Sequence, residues 1–190
     1  MSAAPRIARC ARMGILCVQL LAVTWCLDPA PAAADYSQDA VKAAYLFRFA
    51  GYVDWPGGAD PTKPFVIAVV DSPAVARELR RLVQGHQINN RFVAVLEANR
   101  VSDADRPAIL FVGGGHAELL RPALPALAAE STLVVTEEDG GLDEGATLNL
   151  LTLDHRVRFE VSLTSAHRAH LKISAELLSV AVRVTGAGRS

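Results

Sequence analysis

The stretch PFVIAVVDSPAVARELRRLVQG, Pro64 to Gly85, decides how the rest of the chain is read. Phe65 to Val70 is an unbroken apolar run of strand length, the pattern of a strand buried on both faces, as in a parallel sheet covered by helices. Asp71 ends it. Ser72 is a helix N-cap residue and Pro73 suits the first helical position, where its missing N–H costs nothing. From Pro73 to about Gln84, Val75, Leu79, Leu82 and Val83 recur at helical spacing and predict an inward face. Gly85 fits the residue just past the helix.

The same grammar continues on both sides. Asn89-Asn90 marks a turn, and Phe92–Leu96 and Ala108–Val112 read as strands. Gly113-Gly114-Gly115 leads to a helix over about His116–Ala128, which Pro122 and Pro125 must shorten or kink. Thr132–Thr136 is a further strand, followed by an acidic turn region from Glu137 to Gly145. Ala146–Leu151 and Arg156–Leu163 make two strands around a turn at Asp154-His155. In the second, Val157, Phe159 and Val161 face one way while Arg156, Arg158 and Glu160 face the other, as in a half-exposed antiparallel strand. Helical segments are expected at about Ser165–Ala169 and Ser174–Val184, and the tail Gly186–Ser190 is expected to be frayed or disordered. Upstream, Asp39 to about Trp55 reads as a helix, stopped by Pro56-Gly57-Gly58 and followed by a loop to Pro64. The resulting order predicts one α/β domain over residues 35–185. Its sheet is mixed but mostly parallel with helices on both faces, a Rossmann-like three-layer sandwich.

Residues 1–34 read differently. Arg6, Arg9 and Arg12 precede a largely apolar stretch from Met13 to Leu27. Pro29 and Pro31 then break any helix, and Ala32-Ala33-Ala34 offers small residues before Asp35. That is the layout of a secretory signal cleaved near Ala34, which predicts an exported protein. Met13–Leu27 is short of the about 20 residues that span a bilayer, which disfavours an uncleaved anchor. Lipidation at Cys26 is disfavoured by the bulky Trp25 before it. Cys10, Cys17 and Cys26, all three cysteines of the chain, lie in this segment. The remaining body then has no thiol for a disulfide, a metal or redox sensing.

Without that segment the chain carries 16 basic and 19 acidic residues. There is no basic excess to neutralise phosphates, so nucleic acid is not an expected partner, and no dense Lys/Arg cluster points to anionic lipid.

Candidate chemical groups are few. Gly113, Gly114 and Gly115 sit between a strand and a helix, where backbone N–H groups can hold an anion. Asp71 and Ser72, and Thr136-Glu137, also follow strands, and in a parallel sheet these loops meet at one edge, where small molecules usually bind. The spacing is not that of a dinucleotide fingerprint or a P-loop, and a flexible connector is the plainer reading. His167 and His170 have helical metal-ligand spacing, but flanking Arg168 and Lys172 oppose a cation, so surface histidines are expected. Glu137, Glu138 and Asp139 read as solvated loop carboxylates. No nucleophile elbow occurs, and a hydrolase would need a cleft uniting His155, His167 or His170 with serine and acidic side chains. No catalytic residue, metal or cofactor is therefore assigned. Arg156, Arg158 and Glu160 share one strand face and either ladder with charges on a neighbouring strand, the structural reading favoured, or face a partner. The helix beginning at Asp39 holds five of the ten aromatic residues beyond the signal, Tyr45, Phe47, Phe49, Tyr52 and Trp55. Most of its apolar surface is core, and Tyr45, Phe47, Phe49 and Trp55, with Arg156 and Arg158, are candidate partner contacts.

Three separated motifs resemble one family. They are Val41 to Pro56 (VKAAYLFRFAGYVDWP); Val134-Val135-Thr136 through Gly140, Gly145, Leu148 and Asn149; and Arg156-Val157-Arg158-Phe159-Glu160-Val161 running into Leu171–Leu178. In this order they are similar to the YfiR family, a domain family of unknown function, over about residues 39 to 185. The resemblance implies a compact α/β periplasmic regulator that is not an enzyme, needs no metal and tends to form a homodimer. Its implied partner is the extracytoplasmic sensor region of an inner-membrane signalling protein, a diguanylate cyclase or a kinase, which it represses. An outer-membrane lipoprotein is implied as a sequestering partner. The best-known member uses cysteines for disulfides and redox response, a feature this cysteine-free body lacks. The alternative function is a periplasmic small-ligand carrier using the Asp71, Ser72 and Gly113–Gly115 loops.

Overall fold

The computed structural model describes residues 37–56 and 62–186, all within one compact unit. The segment expected to be a signal, its expected cleavage point, most of the Gly57–Pro64 loop and all but the first residue of the tail lie outside the described residues. Chain order is α1 (Gln38–Phe49), β1 (Val53–Asp54), β2 (Phe65–Val70), α2 (Pro73–Val83), β3 (Gln87–Ile88), β4 (Arg91–Ala98), β5 (Ile109–Val112), α3 (Leu124–Ala129), β6 (Leu133–Thr136), β7 (Leu148–Leu153), β8 (Arg156–Ser162), α4 (Leu163–Arg168), β9 (Lys172–Ile173), α5 (Ala175–Val180) and β10 (Arg183–Thr185).

Eight strands form one sheet in the order β10-β8-β7-β6-β5-β2-β4-β3, and β1 pairs with β9 in a separate two-stranded ribbon. Neighbours in the main sheet are parallel except the β7–β8 hairpin and the short β3–β4 hairpin. The expected α/β sandwich with a mostly parallel sheet is thus present. The decisive run β2 behaves as its composition requires. Phe65, Ile67 and Val69 enter one core with α1 and α2, and Ala68 and Val70 enter a second core on the other face with Leu120 and Leu127.

Local chemistry accounts for the helix ends. The Ser37 hydroxyl accepts the Ala40 N–H at the start of α1, and Ser162 and Ser174 cap α4 and α5 in the same way. In α5 the backbone N–H of Glu176, helped by the Ser174 hydroxyl, holds the Glu176 carboxyl below the usual carboxylate value. α2 buries Val75, Ala76, Leu79 and Val83, whereas Leu82 stays partly exposed at its margin.

Four expectations need correction. α1 ends at Phe49, not near Trp55. The chain turns through Gly51 and runs extended, because Val53 and Asp54 pair with Ile173 and Lys172 far along the sequence. The helix expected over 116–128 is a short 3-10 turn, Ala117–Leu120, and the brief α3, broken as Pro122 and Pro125 require. The last expected helix stops at Val180, and Arg183–Thr185 instead forms edge strand β10, parallel to β8. Glu160, read as outward and half-exposed, is only 3% exposed, because β10 lies beside it. No helix among the described residues is long and apolar enough to cross a membrane.

Candidate functional site

The C-terminal ends of β2, β5 and β6 deliver three loops to one edge of the sheet, as the parallel order demands. The Gly113 N–H donates to Val70 O at 2.9 Å. A Cβ on Gly113 would stand 2.6 Å from Asp71 O and 3.2 Å from Ser72 Cβ, so the two loops meet backbone to backbone, and glycine is required there. His116 Nε2 lies 2.6 Å from Asp71 Oδ2 and ties the glycine loop to the β2–α2 turn.

The donors of the glycine loop are already taken. Gly114 N–H donates to Glu137 Oε1 at 2.9 Å, and Gly115 N–H donates to Glu138 Oε2 at 2.8 Å. Glu137 Oε2 lies 2.5 Å from Lys42 Nζ on α1. The loop therefore does hold anions, but they are the chain's own carboxylates. An incoming anion would have to displace two charge-assisted hydrogen bonds. The acidic run expected to be merely solvated is in fact the clamp that closes this edge. Three glycines after one strand and two acids after the next were the available signal.

Behind the clamp lies a buried polar network. Asn149 on β7 accepts the Thr136 hydroxyl at 2.7 Å and the Glu138 N–H at 3.2 Å through its Oδ1. Its Nδ2 donates to Glu138 O at 2.9 Å and to Glu160 Oε1 at 3.0 Å. Glu160 Oε2 is held by Arg183 Nε at 2.6 Å and Nη2 at 2.5 Å. One side chain thus joins β6, the following loop and β8, and Glu160 carries the connection to β10. Gly141 makes room for it, since a Cβ there would collide with Thr136 Oγ1 and stand 2.7 Å from Asn149 Oδ1.

The six candidate partner contacts do not form one patch. Phe49 is fully buried, so it leaves the set. Tyr45 stacks against Phe49 and Phe159 with ring centroids 5.7 and 5.6 Å apart, and donates its hydroxyl to Val157 O at 3.3 Å, so it is chiefly core. Phe47 packs on His86. Trp55 meets Phe65 edge-on at 5.3 Å, by the start of β2, at the end of the sheet opposite the glycine loop. Arg156 and Arg158 are exposed on the face of β8 that points away from Phe159 and α1. Their cross-strand neighbours are Leu153 and Leu151, not acids. Of the three charged residues on this strand face, only Glu160 pairs across strands, with Arg183 on β10, and neither arginine has a salt-bridge or hydrogen-bond partner among the described residues.

Among the described residues no group of three or more His, Cys, Asp or Glu side chains is arranged to hold a metal ion. His155 sits in the β7–β8 turn and His170 just after α4, both with positive φ, at 60° and 55°.

The chain belongs to the YfiR/HmsC-like family, whose description matches residues 39–182. Among solved structures, the chain is similar to the crystal structure of a conserved domain protein from Vibrio cholerae O1 biovar El Tor, with 13% identity and a TM-score of 0.49. That match covers 80% of this chain and 61% of the other, so this chain spans under two thirds of its length. A search of curated proteins returned no match.

Proposed function

We propose that this protein is a periplasmic regulator that binds the extracytoplasmic region of an inner-membrane diguanylate cyclase and holds it inactive. It would do so by binding the inactive sensor conformation more tightly than the active one, since only differential affinity shifts a population. Export would follow from the signal-like segment ending near Ala34. The observation that carries this reading is the family match across nearly the whole described domain. It is supported by the state of the sheet edge where an α/β protein would normally bind a small molecule. There, the Gly114 and Gly115 N–H groups are spent on Glu137 and Glu138, which also weakens the ligand-carrier alternative at Asp71, Ser72 and Gly113–Gly115. Arg156 and Arg158 supply exposed cations with no ion-pair or hydrogen-bond partner among the described residues, as a partner-facing surface would. A homodimer and an outer-membrane lipoprotein that removes the regulator from its target are further parts of the same proposal.

Deleting the gene and measuring cyclic-di-GMP tests it. A rise on deletion, reversed by the exported protein but not by a form lacking residues 1–34, is the expected outcome. An unchanged level would remove the regulatory reading.

A further inference from the structure

The hairpin β7–β8 leaves part of the sheet uncovered. On the face opposite α1, residues alternate so that Leu151, Leu153, Arg156 and Arg158 lie side by side, Leu153 across from Arg156 and Leu151 across from Arg158. Both arginines are exposed, Leu151 is half-buried and Leu153 is 47% exposed. The next pair inward, Asn149 and Glu160, is buried, so the cover stops abruptly at that point. Glu160, the acid nearest in register, is fully engaged by Asn149 and Arg183 and cannot answer the two outer arginines.

We propose that this face docks an acidic, partly apolar segment of a partner protein, with Arg156 and Arg158 each taking a carboxylate and the two leucines taking apolar side chains. The proposal rests on the regulator reading and gives its partner a chemistry. Alternate residues of a strand lie about 7 Å apart, so the two guanidinium groups can meet carboxylates two residues apart on an extended partner. Guanidinium favours carboxylate because it binds through two parallel N–H donors. A membrane surface fits less well, because lipid-binding patches gather about 4–8 basic residues. Nucleic acid is disfavoured by 19 acids against 16 bases beyond the signal.

The test uses protein purified from the periplasm, labelled for NMR, and two synthetic probes: one peptide alternating Glu and Val, another alternating Lys and Val. The Glu peptide is expected to shift the amides of residues 151–158, with binding weakened by salt, and the Lys peptide to leave them unmoved. The R156E/R158E variant should bind the Glu peptide about tenfold more weakly or worse. R156Q/R158Q provides the neutral comparison should charge reversal disturb folding, which the unperturbed amide spectrum reports. In cells whose cyclic-di-GMP rises on deletion, R156E/R158E should fail to restore the level that the unmodified protein restores. Shifts located elsewhere, equal response to both peptides, or full restoration by R156E/R158E would overturn the proposal. No rise on deletion would instead count against the regulator reading, and the peptide titration would still decide the surface.

Discussion

Asn149 shows how much one side chain can organise. It exchanges four hydrogen bonds with Thr136, both backbone groups of Glu138, and Glu160. Asn149→Ala would remove the acceptor of the buried Thr136 hydroxyl, both side-chain bonds to the Glu138 backbone and one of the donors to Glu160, which keeps Arg183, and unsatisfied buried groups cost about 1–3 kcal/mol each. Partial rehydration lowers the total, so a loss of about 3 kcal/mol in urea-denaturation stability is expected. A change below about 1 kcal/mol would mean the network is replaceable by water. Gly141→Ala probes the same place from the other side. Its added methyl must push on Thr136 and Asn149, and overpacking of this kind costs about 1–3 kcal/mol, read as a lower melting temperature. Neither role was legible in the chain. The acid, the amide and the glycine looked like ordinary loop and strand residues, and only the pairing of β6, β7 and β8 brings them together.

At the scale of elements, the runs with apolar residues on both faces were legible, and the marginal elements were not. β2, β5, β6 and α2 announce themselves through uninterrupted apolar strands and a capped amphipathic helix. α1 is shorter than its apolar run implies, because the pairing of Val53 with Ile173 spans 120 residues and no local signal encodes it. The helical spacing from Ser174 onward extends over β10 and hides it, although Val-Arg-Val-Thr, from Val182 to Thr185, is rich in β-branched residues. What holds β10 is its parallel register with β8 and the Arg183–Glu160 pair. Arg183→Ala leaves the Glu160 carboxylate buried with only Asn149 as donor. Removing one partner of a buried pair costs about 3–5 kcal/mol, and the 52% exposure of the Arg183 side chain brings the expectation down to about 2–3 kcal/mol. Adding Glu160→Gln should recover part of that loss in chemical denaturation, whereas strictly additive effects would mean the two side chains do not depend on each other.

At the scale of the whole molecule, a sheet with cores on both faces ends in an edge sealed by its own carboxylates. The edge has a consequence of its own. Glu137→Gln and Glu138→Gln together weaken the two bonds to Gly114 and Gly115, and this pair should let inorganic phosphate bind at the glycine loop, detected as amide shifts at residues 113–115 that the unmodified protein lacks at the same concentration. Equal shifts in both proteins would mean the loop is open to ligands and would revive the carrier reading. The central claim, that this family member acts by gripping a membrane cyclase from outside the cytoplasm, is met most directly by calorimetric titration of the periplasmic protein with the purified extracytoplasmic region of the cyclase. Saturable one-to-one binding, weakened about tenfold or more by R156E/R158E, is the expected result. No heat of binding to the extracytoplasmic region of any diguanylate cyclase from the same cell would contradict it.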